Sequence, residues 1–280
     1  MHDACVPRPP RGGKLAAVAL TALLTASGCS SPAHRIDRLA QEHGFSRELV
    51  RGERFEHVVY RNAAAAGRAA GAVLHIYIEG DGTPYLTRDT IAADPTPRNP
   101  LMLSLMALDP APSVYLGRPC YFGLHASAAC SPLDWTLARF SDDVVRSMAT
   151  AAESIRRRSG AERLVLLGHS GGGALAVLVA ARLDAVDGVV TLAGNLDTAS
   201  WTALHGYAPL RLSLNPADVS LRNVRTVWHI VGALDAVTPP ELVRRAAERL
   251  EHGRVVVIDG MSHTCCWEAH WPSVLARLPR

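Results

Sequence analysis

Apolar runs alternate along this chain with stretches of helical spacing, and the alternation is regular from about residue 54 onward. Arg54 to Tyr60 predicts a first edge strand, and the continuous apolar run Ala72 to Ile78 predicts a strand buried on both faces. Residues 83–100 carry several prolines and predict a loop, with a helix from Asn99 or Pro100 to about Leu108. Ser113 to Leu116 predicts a short strand. From Leu133 to Arg158 the apolar positions Leu137, Phe140, Val144, Met148 and Ile155 fall at helical steps, and Gly160 stops the helix. A strand at 163–168, a helix from Gly172 to Leu183 and a strand from Gly188 to Ala193 follow. Asn195 to Asp218 is mixed, with prolines and aromatics, and predicts a small cap or substrate-side loop. Strand Val224 to Val231, helix Pro239 to His252, strand Arg254 to Ile258 and helix His270 to Leu278 close the chain. Strands alternating with helices imply an α/β fold with a mostly parallel central sheet and helices on both faces. No internal repeat and no second domain is visible.

The first part of the chain has a different pattern. Arg8, Arg11 and Lys14 precede an apolar stretch, Leu15 to Ala26, of about a dozen residues, too short to span a bilayer. It ends Leu-Thr-Ala-Ser-Gly-Cys-Ser-Ser, which resembles a bacterial lipoprotein signal with Cys29 as the lipid-bearing cysteine. An ordinary secretory signal is the alternative, and either exports the protein. Ser30 after the cysteine resembles an outer-membrane sorting signal where the cell has an outer membrane. The expected organisation is a signal over 1–28, a tether over 29–50 and one domain over 51–280, in the cell envelope and lipid-anchored through Cys29. Removing the leader leaves about 250 residues, one α/β domain.

Composition changes the picture in three places. A net charge of +3, with no basic cluster beyond Arg156 to Arg158 at a helix end, gives no sign of a nucleic-acid partner. Lys14 is the only lysine, so the exported chain has no phosphate-binding Gly-Lys-Ser/Thr loop, no lysine Schiff base and no Ser-x-x-Lys site. No cofactor is implied. Besides Cys29, the exported chain holds Cys120, Cys130, Cys265 and Cys266, which suit disulfides in an oxidising compartment. Cys120 with Cys130 is the expected pair. Cys265 and Cys266 then form a vicinal bridge or stay as thiols, and crossed pairing between the two loops is the rival. No spacing suits a metal.

The chemistry concentrates at Gly168-His-Ser-Gly-Gly172, where an apolar strand runs into a Gly-x-Ser-x-Gly turn and directly on into a helix. That context exposes Ser170 as a nucleophile above the strand ends, with the Gly171 amide aimed at an oxyanion. A nucleophilic serine needs a base, and the base needs an acid to orient it. Asp235 follows the strand ending at Val231, and His263 follows the last strand. Both leave carboxyl ends of strands, where open α/β sheets hold their sites. Asp197 is the alternative acid; Asp259 suits the turn before His263. His169 is expected to pack beside the nucleophile, while His205 and His229 read as cap and strand histidines. By position, the second oxyanion amide is that of Asp81, after the run His75 to Gly82, and Glu79 is expected to fix that loop.

On these motifs, residues 54–278 resemble an α/β-hydrolase of the serine-esterase kind. The Tyr77-Ile-Glu-Gly-Asp-Gly82 segment is similar to one carried by a group of bacterial exported hydrolases. The resemblance implies the α/β-hydrolase fold with a small cap insertion. It also implies acyl transfer through a triad of Ser170, His263 and Asp235 on a small-molecule or lipid-like ester. An amidase, peptidase or thioesterase would share this machinery, and a non-catalytic envelope lipoprotein would share the scaffold. Trp201, Leu204 and Tyr207 suggest an apolar wall to the site. The oligomeric state is not legible.

Overall fold

In the computed structural model, which describes residues 31–67, 71–250 and 253–278, the chain opens on a helix that the polar sequence concealed. Ser31 caps α1 (Pro32–Glu42) by accepting from the His34 amide, and Pro32 occupies its first turn. Ile36 and Ala40, four apart, bury one face. Strand β1 (Ser46–Arg51) follows and pairs antiparallel with β2 (Glu56–Arg61). Residues 32–50 are therefore not a tether: Ile36, Ala40, Phe45 and Val50 belong to the core. The edge strand is β1, and the strand expected over Arg54 to Tyr60 is its inner neighbour. Charged side chains on the exposed positions of β1 disguised it, as edge strands commonly do. Cys29 lies outside the described residues.

The remaining elements are α2 (Ala63–Ala66), β3 (Val73–Ile78), β4 (Tyr85–Thr87), β5 (Thr90–Ile91), α3 (Leu101–Met106), β6 (Ser113–Leu116), α4 (Asp142–Ser159), β7 (Arg163–His169), α5 (Gly171–Ala180), β8 (Val186–Leu192), α6 (Thr198–His205), β9 (Thr226–Gly232), α7 (Pro240–Arg249), β10 (Arg254–Ile258) and α8 (Trp271–Leu275). Eight strands form one sheet in the order β1-β2-β6-β3-β7-β8-β9-β10. Among the described residues, β2 alone runs against the others, so β3, β7, β8, β9 and β10 present their carboxyl ends on one side.

Burial follows the residue types. Strands β3, β7 and β8 are apolar runs buried nearly throughout, and α5 is buried at every position. Gly, Ala and Val on α5 let it lie close to β7 and β8. Helix α4 starts later than the periodicity suggests. Pro132–Trp135 forms a short 3-10 turn, and Ser141 caps the helix, with Asp142 and Asp143 in its first turn and Arg156 to Arg158 in its last. The proline-bearing loop 83–100 contains the small hairpin β4–β5. The Cys120–Cys130 disulfide is present, its Cα atoms 5.6 Å apart, and Cys265 pairs with Cys266 rather than crossing to the other loop.

Candidate active site

At the end of β7 the backbone turns abruptly. Ser170 adopts φ 51° and ψ −118°, a conformation that non-glycine residues rarely take and that costs about 1–3 kcal/mol. Main-chain hydrogen bonds to the neighbouring strand end and loop help hold it there. The Ser170 amide donates to Leu192 O at 2.9 Å, and the Asn195 amide donates to Ser170 O at 3.0 Å. The elbow presses against the end of β3. A Cβ at Gly172 would collide with the carbonyls of Ile78 and Glu79, and one at Gly171 with the Asp81 carboxylate. Among the described residues, no protein acceptor takes the amide of Gly171 or Asp81. Both remain available to a developing anion.

His263 lies in the loop after β10, and its Nδ1–H donates to Asp235 Oδ2 at 2.9 Å, with Oδ1 at 3.2 Å. Asp235 itself accepts from the amides of Val237 at 2.9 Å and Thr238 at 2.8 Å, and from the Thr238 hydroxyl at 3.0 Å. Burial disfavours the Asp235 carboxylate, but the His263 and Thr238 hydrogen bonds outweigh it and hold its pKa below the usual range. An ionised, acceptor-only Asp235 fixes the proton on His263 Nδ1 and leaves Nε2 as the basic nitrogen. Ser170 and His263 line one cavity of about 1540 Å³, and Asp235 is buried behind the imidazole.

The competing residues have other partners. Asp197 caps α6, accepting from Ala199 and Ser200 amides and pairing with Arg249 at 2.8 Å, so it is not available to His263. Asp259 is exposed in the turn before His263. His205 meets Val237 O at 2.8 Å and stacks on Tyr207 in the cap. His229 is buried beside Thr191 in β9. A further serine–histidine pair, Ser147 Oγ and His57 Nε2 at 2.9 Å, is sealed in the core. It joins β2 to α4, with His57 Nδ1–H donating to Gly117 O at 2.9 Å.

Behind Ser170 lies an arrangement that the sequence only partly disclosed. His169 Nε2–H donates to His263 O at 2.9 Å, and its ring lies 4.8 Å from the His263 ring. Burial, reinforced by His263, lowers the His169 pKa to about 4, so it is neutral at pH 7. Its Nδ1 faces Glu79 Oε1 at 3.9 Å. Glu79 takes the amides of Gly80 at 3.1 Å and Met102 at 2.9 Å, tying β3 to the start of α3. Burial nonetheless pushes its carboxyl up to about 7.

Asp81 does more than offer an amide. Its carboxylate is clamped between Arg118 and Arg139, the latter at 2.6 Å, and its carbonyl accepts from the Tyr121 hydroxyl at 2.9 Å. Burial opposes the charge, but the Arg139 and Arg118 guanidiniums draw the Asp81 carboxyl down to about 2. Arg118 and Tyr121 were missed, although their place just past the carboxyl end of β6 is the signal that marks site residues in this topology. Arg139 was hidden inside the expected helix over 133–158.

No family model matches the chain, and no curated protein matches it. Solved structures do. The Pyrococcus furiosus esterase Pf2001 superposes with a TM-score of 0.59 at 11% identity, covering 85% of this chain and 91% of that one. TT1662 from Thermus thermophilus gives a TM-score of 0.54 at 18% identity over 83% of this chain and 95% of that one. Est1E from Butyrivibrio proteoclasticus gives 0.53 at 15% identity over 82% and 96%. The sheet order and these similarities establish the α/β-hydrolase fold.

Proposed function

We propose that this protein is a serine hydrolase that cleaves carboxylic esters through an acyl-enzyme, anchored in the bacterial cell envelope by lipid on Cys29. The observation that carries the reading is the meeting of Ser170, on its strained elbow, with the Asp235-paired His263 in one cavity. In this reading Ser170 Oγ attacks the ester carbonyl while His263 Nε2 takes its proton. The amides of Gly171 and Asp81 stabilise the oxyanion. His263 then returns the proton to the departing alkoxide, leaving an acylated Ser170. Water, deprotonated by His263, attacks the acyl carbon; the Ser170 Oγ–acyl bond breaks, His263 returns the proton to Oγ, and the carboxylic acid leaves. Asp235 keeps His263 oriented and stabilises the transient imidazolium. The esterases among the similar structures share the fold and fit this activity.

The test is covalent labelling. A fluorophosphonate probe is expected to label the wild type at Ser170 and leave Ser170→Ala unlabelled. p-Nitrophenyl butyrate turnover should fall by about 10³-fold or more in the same variant. Equal labelling of both proteins, or of neither, overturns the proposal.

A further inference from the structure

The cavity that holds Ser170 opens between the β4–β5 hairpin and α6, and both carry apolar side chains that nothing covers. Leu86 is 58% exposed and Ile91 43% on the hairpin, and Leu204 is 56% and Tyr207 54% on and just after α6. Leu86 and Tyr207 line the mouth. Ile91 pairs with Tyr85, another lining residue, while Leu204 sits beside the lining residue His205. Isolated exposed apolar residues are ordinary, but a cluster around the entrance to a cavity marks a contact surface.

Two further observations bear on what covers it. First, α1 borders the same cavity: Arg35, Ile36 and Leu39 line it. Cys29 precedes Pro32, the first residue of α1, by three residues in the sequence. Arg35 is under one helical turn further on. Second, Arg35, Arg88 and Arg98 are exposed around the mouth without an ion-pair partner among the described residues, against two exposed acids in the lining, Asp89 and Glu268. That imbalance favours an anionic surface.

We infer that the mouth of the cavity docks on the lipid surface that holds the Cys29 anchor. Hairpin β4–β5 and α6 then lie in the headgroup region, and the ester substrate enters from the bilayer. This rests on the hydrolase reading above and on lipid at Cys29, and it adds the face of the molecule and the source of the substrate.

The test uses the full chain reconstituted in vesicles of phosphatidylethanolamine and phosphatidylglycerol carrying brominated acyl chains. A tryptophan at Ile91 (Ile91→Trp) should be quenched at least about twofold more than one at Arg157 (Arg157→Trp), which is exposed at the opposite, amino-terminal end of the strands. Equal quenching, or stronger quenching of the Arg157→Trp protein, overturns the proposal. In a second arm, Ile91→Asp should leave p-nitrophenyl butyrate turnover in solution within about twofold of wild type. The same substitution should cut hydrolysis of a long-chain ester embedded in the vesicles by about tenfold or more. Retained vesicle activity overturns it. So does a homodimer of the wild type that this substitution dissociates, because a second copy would then be what covers the face. If wild type hydrolyses neither ester, the hydrolase reading fails, while the quenching arm still decides the surface.

Discussion

Ser170 is held in a backbone conformation that non-glycine residues rarely take. Replacing it with glycine removes the proposed nucleophile and relieves a backbone that glycine accepts freely, so Ser170→Gly is expected to lose activity and gain about 1 kcal/mol in urea unfolding. A loss of stability would show that the elbow is unstrained. The titrating groups around it act on stability with opposite signs. His57 and His169 are buried with pKa values lowered from 6.5 to about 4. Between those values the unfolded chain binds protons that the folded chain refuses, so stability present above pH 6.5 is lost as pH falls toward 4. Glu79 is raised from 4.5 to about 7. Its contribution is full below pH 4.5 and is lost as pH rises through 7. Between pH 4.5 and 6.5 the unfolded chain gains two protons from the histidines and the folded chain holds one on Glu79. Wild-type stability should therefore fall by about 1.4 kcal/mol per pH unit on acidification. Glu79→Gln removes the opposing proton, and urea midpoints measured at pH 5 and pH 6 should show a slope about twice as steep. Equal slopes would mean that Glu79 titrates normally in the folded protein.

At the scale of elements, the site depends on how closely α5 and the loop after β3 approach each other. Gly172→Ala places a methyl group against the carbonyls of Ile78 and Glu79, and nothing flexible stands there to yield. The expected cost is about 1–3 kcal/mol. Displacing α5 also moves the Gly171 amide relative to Asp81, so kcat should fall more than KM rises; an unchanged kcat would separate the packing from the oxyanion site. Strands β3, β7, β8 and β9 and the elbow were legible because their apolar runs and glycines answer to local rules. The Asp235–His263 contact was legible too, because each residue follows a strand end. Element β1 was not legible, since its exposed side chains are charged and its pairing with β2 is a tertiary fact. The start of α4 was misplaced because Leu137 and Phe140 keep helical spacing while packing from a turn. The roles of Arg118 and Arg139 were hidden for the same reason. A clamp on Asp81 joins residues far apart in the chain, and no local pattern records it.

For the whole molecule, the sheet's polarity decides where chemistry can occur. With β2 alone reversed, the loops after β3, β6, β7, β9 and β10 converge on one face, and the Cys120–Cys130 disulfide staples the loop after β6 to itself. That loop begins with Arg118, bonded to Asp81, and Tyr121, bonded to the Asp81 carbonyl; the Phe122 amide donates to Thr96 Oγ1 at 2.7 Å. The disulfide thus restrains a support of the Asp81 loop as well as the unfolded chain. For a closed loop this short the entropic term is about 2–3 kcal/mol. Cys120→Ala with Cys130→Ala should lose about that much in urea unfolding. If the loop supports Asp81, kcat should also drop while the Asp235–His263 pair, held from the other side of the sheet by Thr238, stays intact. Comparing kcat with the urea midpoint keeps these apart: a fall in both supports the restraint on Asp81, and an unchanged kcat would confine the disulfide to stability.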